Sequence, residues 1–288
     1  MTGWLIVNSF MESAKFSELY ALLLRSAEKL NIDLTLVQGW ELGEIVGDGF
    51  AALPDFALFW DKDVMLAHRL EDAGLRLFNS ADAIDGCDDK AKTYRRLANG
   101  GVRIPRTIAA PKTFEGLGYQ SNFAFLEKAV GKLGLPLIIK ESYGSFGQQV
   151  YLAHTIDEAK AIVERIGYKE FVMQEFVATS RGRDVRVNVV GDRVIASMLR
   201  YNDHDFRSNI SNGGSMKLYT PSEAQQAAAL AAVRALGLDF AGVDILFGEA
   251  DEPIVCEVNS NPHFKSTLDC TGVNLADEIM RYIAEEMV

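Results

Sequence analysis

Residues 183–201 read RDVRVNVVGDRVIASMLRY, two apolar-rich runs, the first with valine at every second position, separated by Gly191 and Asp192. Two β-prone runs on either side of a Gly-Asp pair predict two antiparallel strands and a tight turn. This hairpin constrains the fold strongly, because the first third of the chain asks for a different kind of sheet. There WLIVNSF, IDLTLVQ, PDFALFW and LRLFNS read as strands, with helical spacing in FSELYALLLRSAEKL and again near residues 62–73. A strand–helix–strand rhythm predicts a small parallel sheet with helices on its faces. The chain must therefore combine a parallel sheet with an antiparallel one.

No glycine interrupts VNSFMESAKF after the first strand, so a dinucleotide-binding turn is not expected there. SADAIDGCDDKAKTYRRLANGGVRIPRT reads as a capped helix ended by Gly100 and Gly101, then a short strand bounded by Pro105, and a first boundary is placed near residue 110. Beyond it, LGLPLIIKES and VYLAHT read as strands around the YGSFGQQ turn, IDEAKAIVERIG as a helix and EFVMQEFV as a further strand. After the hairpin come the alanine-rich helix SEAQQAAALAAVRALG, the strands AGVDILFG and PIVCEVN, and a terminal helix around NLADEIMRYIAEEM.

Composition narrows the function classes. The net charge of −11 disfavours a broad nucleic-acid surface, which needs clustered basic residues, but leaves room for a local anion pocket. No apolar run reaches the roughly 18 residues of a membrane span. The apolar start MTGWLIVNSFMES lacks a basic segment and a cleavage site, so it reads as a strand and the expected location is the cytoplasm. Cys87, Cys256 and Cys270 are an odd set without close spacing, which predicts reduced thiols rather than a disulfide framework or a zinc site.

Several residue types suggest phosphate and metal chemistry. Asp244 is a carboxylate within an apolar strand, and Glu257 and Asn259 are two apart on the next one, so alternation points both to one face. If those strands pair, three oxygen-bearing side chains converge as a site for a hard ion such as Mg2+. The competing reading puts each acid on the solvent face of its strand. Lys140 ends an apolar strand just before the glycine-bearing turn, where it can reach a phosphate beneath the turn's N–H groups. Those glycines are equally compatible with an ordinary hairpin. Arg200, Arg207 and Asn209 lie in LRYNDHDFRSNISNGGS, a stretch suited to gripping an anion, or else a polar loop whose arginines pair with Asp203 and Asp205.

Taken in order, DDKAKTYRRL, LPLIIKESYGSFGQQV, MQEFV, GRDVRVNVVGDRVIASMLR, DFRSNISNGG, AGVDILF and CEVNSNP resemble the ATP-grasp superfamily, and more narrowly the RimK-type carboxylate–amine ligases. The resemblance implies an α/β fold (α+β in the lid): a Rossmann-like pre-ATP-grasp domain over 1–110, a small ATP-grasp lid over 111–175 and a large domain over 176–288 carrying the metal and phosphate site. It implies nucleotide contacts from Lys90, Lys140, Gly144, Ser145, Gly147, Glu175, Phe176, Val177, Asp184, Arg207, Ser208 and Asn209, with Arg186 on the strand face of Asp184. Arg200 and Arg207 are the implied catalytic residues on the transferring phosphoryl group. Asp244, Glu257 and Asn259 are the implied ligands of two Mg2+ or Mn2+ ions.

The implied activity is ATP-dependent amide-bond formation through an acyl phosphate, adding a glutamate-like amino acid to a carboxylate on a peptide, a carrier protein or a small molecule. Neither nucleic acid nor membrane is an expected partner, and a homo-oligomer stays open. The alternatives are phosphotransfer or thioester formation, and a nucleotide-binding regulator without turnover. The chain departs from the family pattern at Asn261-Pro262-His263-Phe264, where the acceptor and the amine approach, so His263 is either a general base or a packed polar residue.

Overall fold

The computed structural model describes residues 1–288 apart from Glu12, Glu44, Ser121, Ser145 and Phe146, and apart from the side chain of Ser211. The first sheet is parallel, in the order β2-β1-β3-β4. Its strands β1 (Thr2–Val7), β2 (Asp33–Gln38), β3 (Phe56–Trp60) and β4 (Arg76–Phe78) alternate with α1 (Ala14–Glu28) and α2 (Val64–Asp72). β3 is buried along its whole length, as expected for an inner strand covered on both faces.

The segment read as one capped helix is two, α3 (Ala81–Asp88) and α4 (Lys90–Asn99). Asp89 breaks it: its backbone is extended, and its carboxylate accepts from the N–H groups of Ala91 and Lys92. An aspartate in that position starts a new helix. The break makes Lys90 the first residue of α4, and its N–H donates to the Ser142 carbonyl at 3.1 Å.

The second sheet is antiparallel, in the order β5-β8-β6-β7. It contains β5 (Thr107–Ala109), β6 (Leu137–Glu141), β7 (Val150–Ala153) and β8 (Phe171–Glu175), with α5 (Ala124–Leu133) and α6 (Ile156–Ile166) packed on one face. The third sheet, order β11-β10-β9-β12-β13, is antiparallel throughout. Its strands are β9 (Arg183–Val190), β10 (Arg193–Tyr201), β11 (Ser215–Leu218), β12 (Phe240–Phe247) and β13 (Pro253–Asn259). α7 (Glu223–Leu236) covers it, and α8 (Lys265–Thr271) and α9 (Leu275–Glu286) end the chain.

Two faces of this third sheet have opposite chemistry. Val185, Val187 and Val189 of β9 join Ala241, Val243 and Ile245 of β12 in a core completed by the alanine face of α7. Small side chains on α7 let its backbone come close to the sheet, and a Ser222–Gln225 capping box fixes where it begins. The even-numbered positions Asp184, Arg186, Asn188 and Asp244 point the other way. β13 preserves this division through a bulge at Cys256: Asp244 faces Glu257, but Ile245 faces Val255.

α9 returns to the first sheet. Leu275, Ile279, Met280 and Ile283 are fully buried against Leu19, Leu23 and Phe56, each burial being worth about 1.5–3 kcal/mol. Asn79 adds a polar stitch, donating to the Phe240 and Ser260 carbonyls at 3.0 and 2.9 Å. The first and third sheets are thereby held against each other.

Candidate active site

Between the second and third sheets lies a cavity of about 110 Å3. Every described residue read above as a nucleotide contact, catalytic residue or metal ligand lines it, with the exception of Asn259; Arg186 and His263 do not line it either. Ser145 lies outside the described residues. Phe176 supplies an apolar wall together with Ile138, Leu246 and Cys256, of which Ile138 and Leu246 were not singled out in the sequence. In the hinge after β8, the Glu175 N–H is committed to the Arg106 carbonyl at 3.1 Å and its carboxylate accepts from the Arg106 N–H at 2.9 Å.

On the floor of the cavity, strand register builds a chain of alternating charges. Asp184 lies opposite Arg200, and Asp244 lies opposite Arg186. Arg200 grips Asp184 bidentately at 2.7 and 2.6 Å and reaches Asp244 Oδ2 at 2.9 Å. Arg186 grips Asp244 from its other side, through Nε to Oδ1 and through Nη2 to Oδ2. Ser208 donates to Asp184 Oδ2 at 2.6 Å. All five residues are buried, and the two carboxylates balance the two guanidiniums. Burial alone would push the Asp244 carboxyl up, but the paired arginines hold it below the usual carboxylate range. Gly242 makes room for this arrangement, since a Cβ there would sit 3.0 Å from Arg186 Nη1 and 2.9 Å from Pro262 Cβ.

Two lysines form the upper wall. Lys140 Nζ donates to Tyr94 Oη at 3.1 Å and contacts Cys256 Sγ at 3.5 Å, while Tyr94 Oη donates to the Cys256 carbonyl at 2.7 Å. Burial pushes Tyr94 up to about 12 and raises the Cys256 thiol, so both are neutral at physiological pH. The anion acting on Lys140 there is Glu257, which also opposes the lowering of Lys90 by burial. Lys90 Nζ donates to the Gly144 carbonyl at 3.2 Å.

Arg207 lies further out. It forks onto Asp205 at 3.1 and 2.8 Å, as expected of a polar loop, and its Nη1 donates to the Gly147 carbonyl at 2.7 Å. Gly147 has φ +71°, and a Cβ on it would lie 2.7 Å from Asn209 Oδ1, so only glycine fits there without strain. Residues on both sides of the site thus hold the two described glycines of the turn.

Among the described residues no three His, Cys, Asp or Glu side chains cluster as a metal site. The set of Asp244, Glu257 and Asn259 is instead two carboxylates and an amide, an all-oxygen donor set of the kind a hard divalent ion takes. Glu257 accepts no hydrogen bond among the described residues, and Asn259 Nδ2 makes only a long contact, 3.4 Å, with the Gly242 carbonyl. Asp244 is more committed, with three guanidinium contacts on its four lone-pair positions. The donor chemistry fits a divalent ion, and Glu257 is its most open carboxylate.

Lys90, Gly144, Arg200, Asn209 and Glu257 also line a second cavity of about 560 Å3, which opens toward the first sheet. Asn259, Arg186 and His263 face this space. The volume is in the range of small-molecule sites. His263 packs edge-on against Phe16 at 5.8 Å, and burial depresses it to about 4, so it is neutral at physiological pH.

Residues 87–283 match the RimK-like ATP-grasp domain family. The chain belongs to that family of ATP-dependent carboxylate–amine ligases, whose members use ATP with Mg2+ and take carboxylate and amine substrates. It is 33% identical over 270 residues to an uncharacterized protein of Mycoplasma pneumoniae, covering 91% of this chain and 92% of the relative. It is 32% identical over 250 residues to a probable alpha-L-glutamate ligase of Cellvibrio japonicus, covering 85% and 80%. The D-alanine–D-alanine ligase of Bacillus anthracis, solved with ATP, superposes with a TM-score of 0.75 over 100% of this chain and 97% of that one. At 20% identity this last likeness shows the fold, which is ATP-grasp. Among the described residues no helix is long and apolar enough to cross a membrane.

Proposed function

We propose that the protein forms an amide bond by phosphorylating a substrate carboxylate with ATP and letting an amine displace the phosphate, and that the amine belongs to a glutamate-like amino acid. The observation that carries this reading is that the two cavities share the walls formed by Lys90, Gly144, Arg200, Asn209 and Glu257. A smaller, lysine- and arginine-lined cleft adjoins a larger, mixed-charge chamber at these shared residues, which supports a phosphoryl group and a carboxylate meeting there. The name of the Cellvibrio relative supports glutamate.

In this reading the apolar walls and the hinge at Glu175, Phe176 and Val177 take the base. Lys90, Lys140, Asp184, Arg207, Ser208, Asn209 and the turn containing Gly144 and Gly147 take the phosphates. Asp244, Glu257 and Asn259 would hold two divalent ions, which supply charge neutralisation between phosphate oxygens when bound. In this reading Arg200 acts mainly by fixing Asp184 and Asp244 in place rather than directly on the transferring group, because both carboxylates already occupy its fork. Arg207 is the more available guanidinium: a triphosphate displacing the Gly147 carbonyl would find it half-buried and poised. A carboxylate oxygen is a poor leaving group, and phosphorylation replaces it with phosphate. Catalysis then consists of alignment and charge stabilisation, with no protein nucleophile.

The supporting division of labour is a substrate-binding unit over 1–110, a lid over 111–175 and a phosphate-binding unit over 176–288, working in the cytoplasm where ATP is supplied. β5 ends at Ala109 and already belongs to the second sheet, so the first linker is expected a few residues before 107.

The test is ADP release measured across a panel of carboxylates with and without amino acids. ADP formation that needs both partners is expected. ADP formation that ignores the amine points to simple phosphotransfer, and none at all points to a regulator. In the same assay Arg207→Ala should lower kcat about a hundredfold while changing the KM for ATP little. A change confined to KM would make Arg207 a ground-state clamp.

A further inference from the structure

The larger cavity holds a buried charge that the chemistry above does not use. Asp61 follows β3, at the carboxyl end of the parallel sheet, the edge at which open α/β sheets take ligands. It is 7% exposed. Its Oδ1 accepts from Asn8 Nδ2 at 2.9 Å and from the Lys62 N–H at 2.7 Å. Among the described residues its Oδ2 accepts no hydrogen bond and neither oxygen joins an ion pair. The neighbouring Lys62 ammonium turns instead to Asp88. Burial raises the Asp61 carboxyl, as expected for an anion with too few partners.

Its surroundings suit a cation. Phe16, Tyr20 and Trp60 line the same cavity, and a carboxylate among aromatic side chains is a favourable setting for an ammonium group. The position is also fixed. Trp60 stacks on Phe240 at 5.5 Å and 14°, and Asn261 Nδ2 donates to the Asp61 carbonyl at 3.0 Å. Asn261 is two residues beyond Asn259, so Asp61 is tied to the strand that carries Glu257. Lys90, Arg186 and Lys265 line the same cavity, so both signs of a zwitterion find a complement there.

We propose that Asp61 is the ammonium-recognition residue of this cavity, its Oδ2 accepting from the charged amino group of a free amino-acid substrate. The proposal rests on reading the larger cavity as the substrate side of the ligase. It assigns recognition of the free amino group to a residue of the first sheet's carboxyl edge, and so gives that sheet a role in specificity. It also accounts for a buried polar residue that the sequence did not single out.

The test is thermal stabilisation of the full chain, saturated with Mg2+ and a non-hydrolysable ATP analogue, by each proteinogenic L-amino acid and by its N-acetyl derivative. At least one free amino acid is expected to raise the Tm while its N-acetyl derivative does not. Asp61→Asn keeps the shape and the acceptor for Asn8 and Lys62, and should weaken that amino acid about tenfold or more. The shift produced by the nucleotide itself should survive in the variant. Equal stabilisation by N-acetyl derivatives, full retention of the amino-acid shift in Asp61→Asn, or no shift with any free amino acid would each overturn the proposal. Loss of the nucleotide shift in the unmodified protein would contradict the ATP-site reading instead, so the two failures are distinguishable.

Discussion

Arg200→Ala is expected to lose about 3–5 kcal/mol of folding stability, because it strips the shared partner from two buried carboxylates at once. Asp184 would keep only Ser208, and Asp244 only Arg186. The loss comes from leaving charge uncompensated in a dry place, not from forfeiting the attraction of one pair. Lysine should not rescue the variant, since it cannot fork onto Asp184 and reach Asp244 as a guanidinium does. Urea denaturation measures this directly. A midpoint and slope matching the unmodified protein would mean that water or a proton compensates the carboxylates, and that Arg200 is free for another task.

Glu257→Gln should behave in the opposite way. The side chain accepts no hydrogen bond among the described residues, so an isosteric amide leaves Tm nearly unchanged. Turnover, however, should fall about a hundredfold or more, because the most open carboxylate of the proposed ion site is gone. Metal-free ATP should bind at least as tightly, since removing the Glu257 charge removes a repulsion on the phosphates close to Lys90 and Lys140. Calorimetry with and without Mg2+, alongside kinetics, separates these effects. Full turnover in a folded Glu257→Gln protein would remove it from the ion site.

The contrast between these two residues shows how far sequence reading carries. Both were chosen by residue type and by their place in the chain, and both line the same cavity. What Arg200 touches depends on cross-strand register, Asp184 on one neighbour and Asp244 two strands away, and register is a tertiary property. The bulge at Cys256 is similarly invisible, because PIVCEVN reads as an uninterrupted strand. The parallel sheet, the hairpin and the alanine-rich helix were legible because their periodicities extend over many residues. α5, α8 and β11 were not: α8 is only seven residues long, and β11 is a mostly exposed edge strand without clean alternation. The separation of α3 from α4 turned on one aspartate, Asp89, acting as a cap within a run of good helix formers. Asp61 gave no periodic signal at all; only its burial without a cationic partner distinguishes it.

The central claim is that ATP activates a carboxylate by phosphorylating it. The most direct measurement is the fate of a heavy-oxygen label in the carboxylate of whichever acid supports amine-dependent ADP release. If an acyl phosphate forms and the amine displaces it, one labelled oxygen leaves in each inorganic phosphate and the amide keeps the other. Unlabelled phosphate, or AMP and pyrophosphate in place of ADP, would contradict the account.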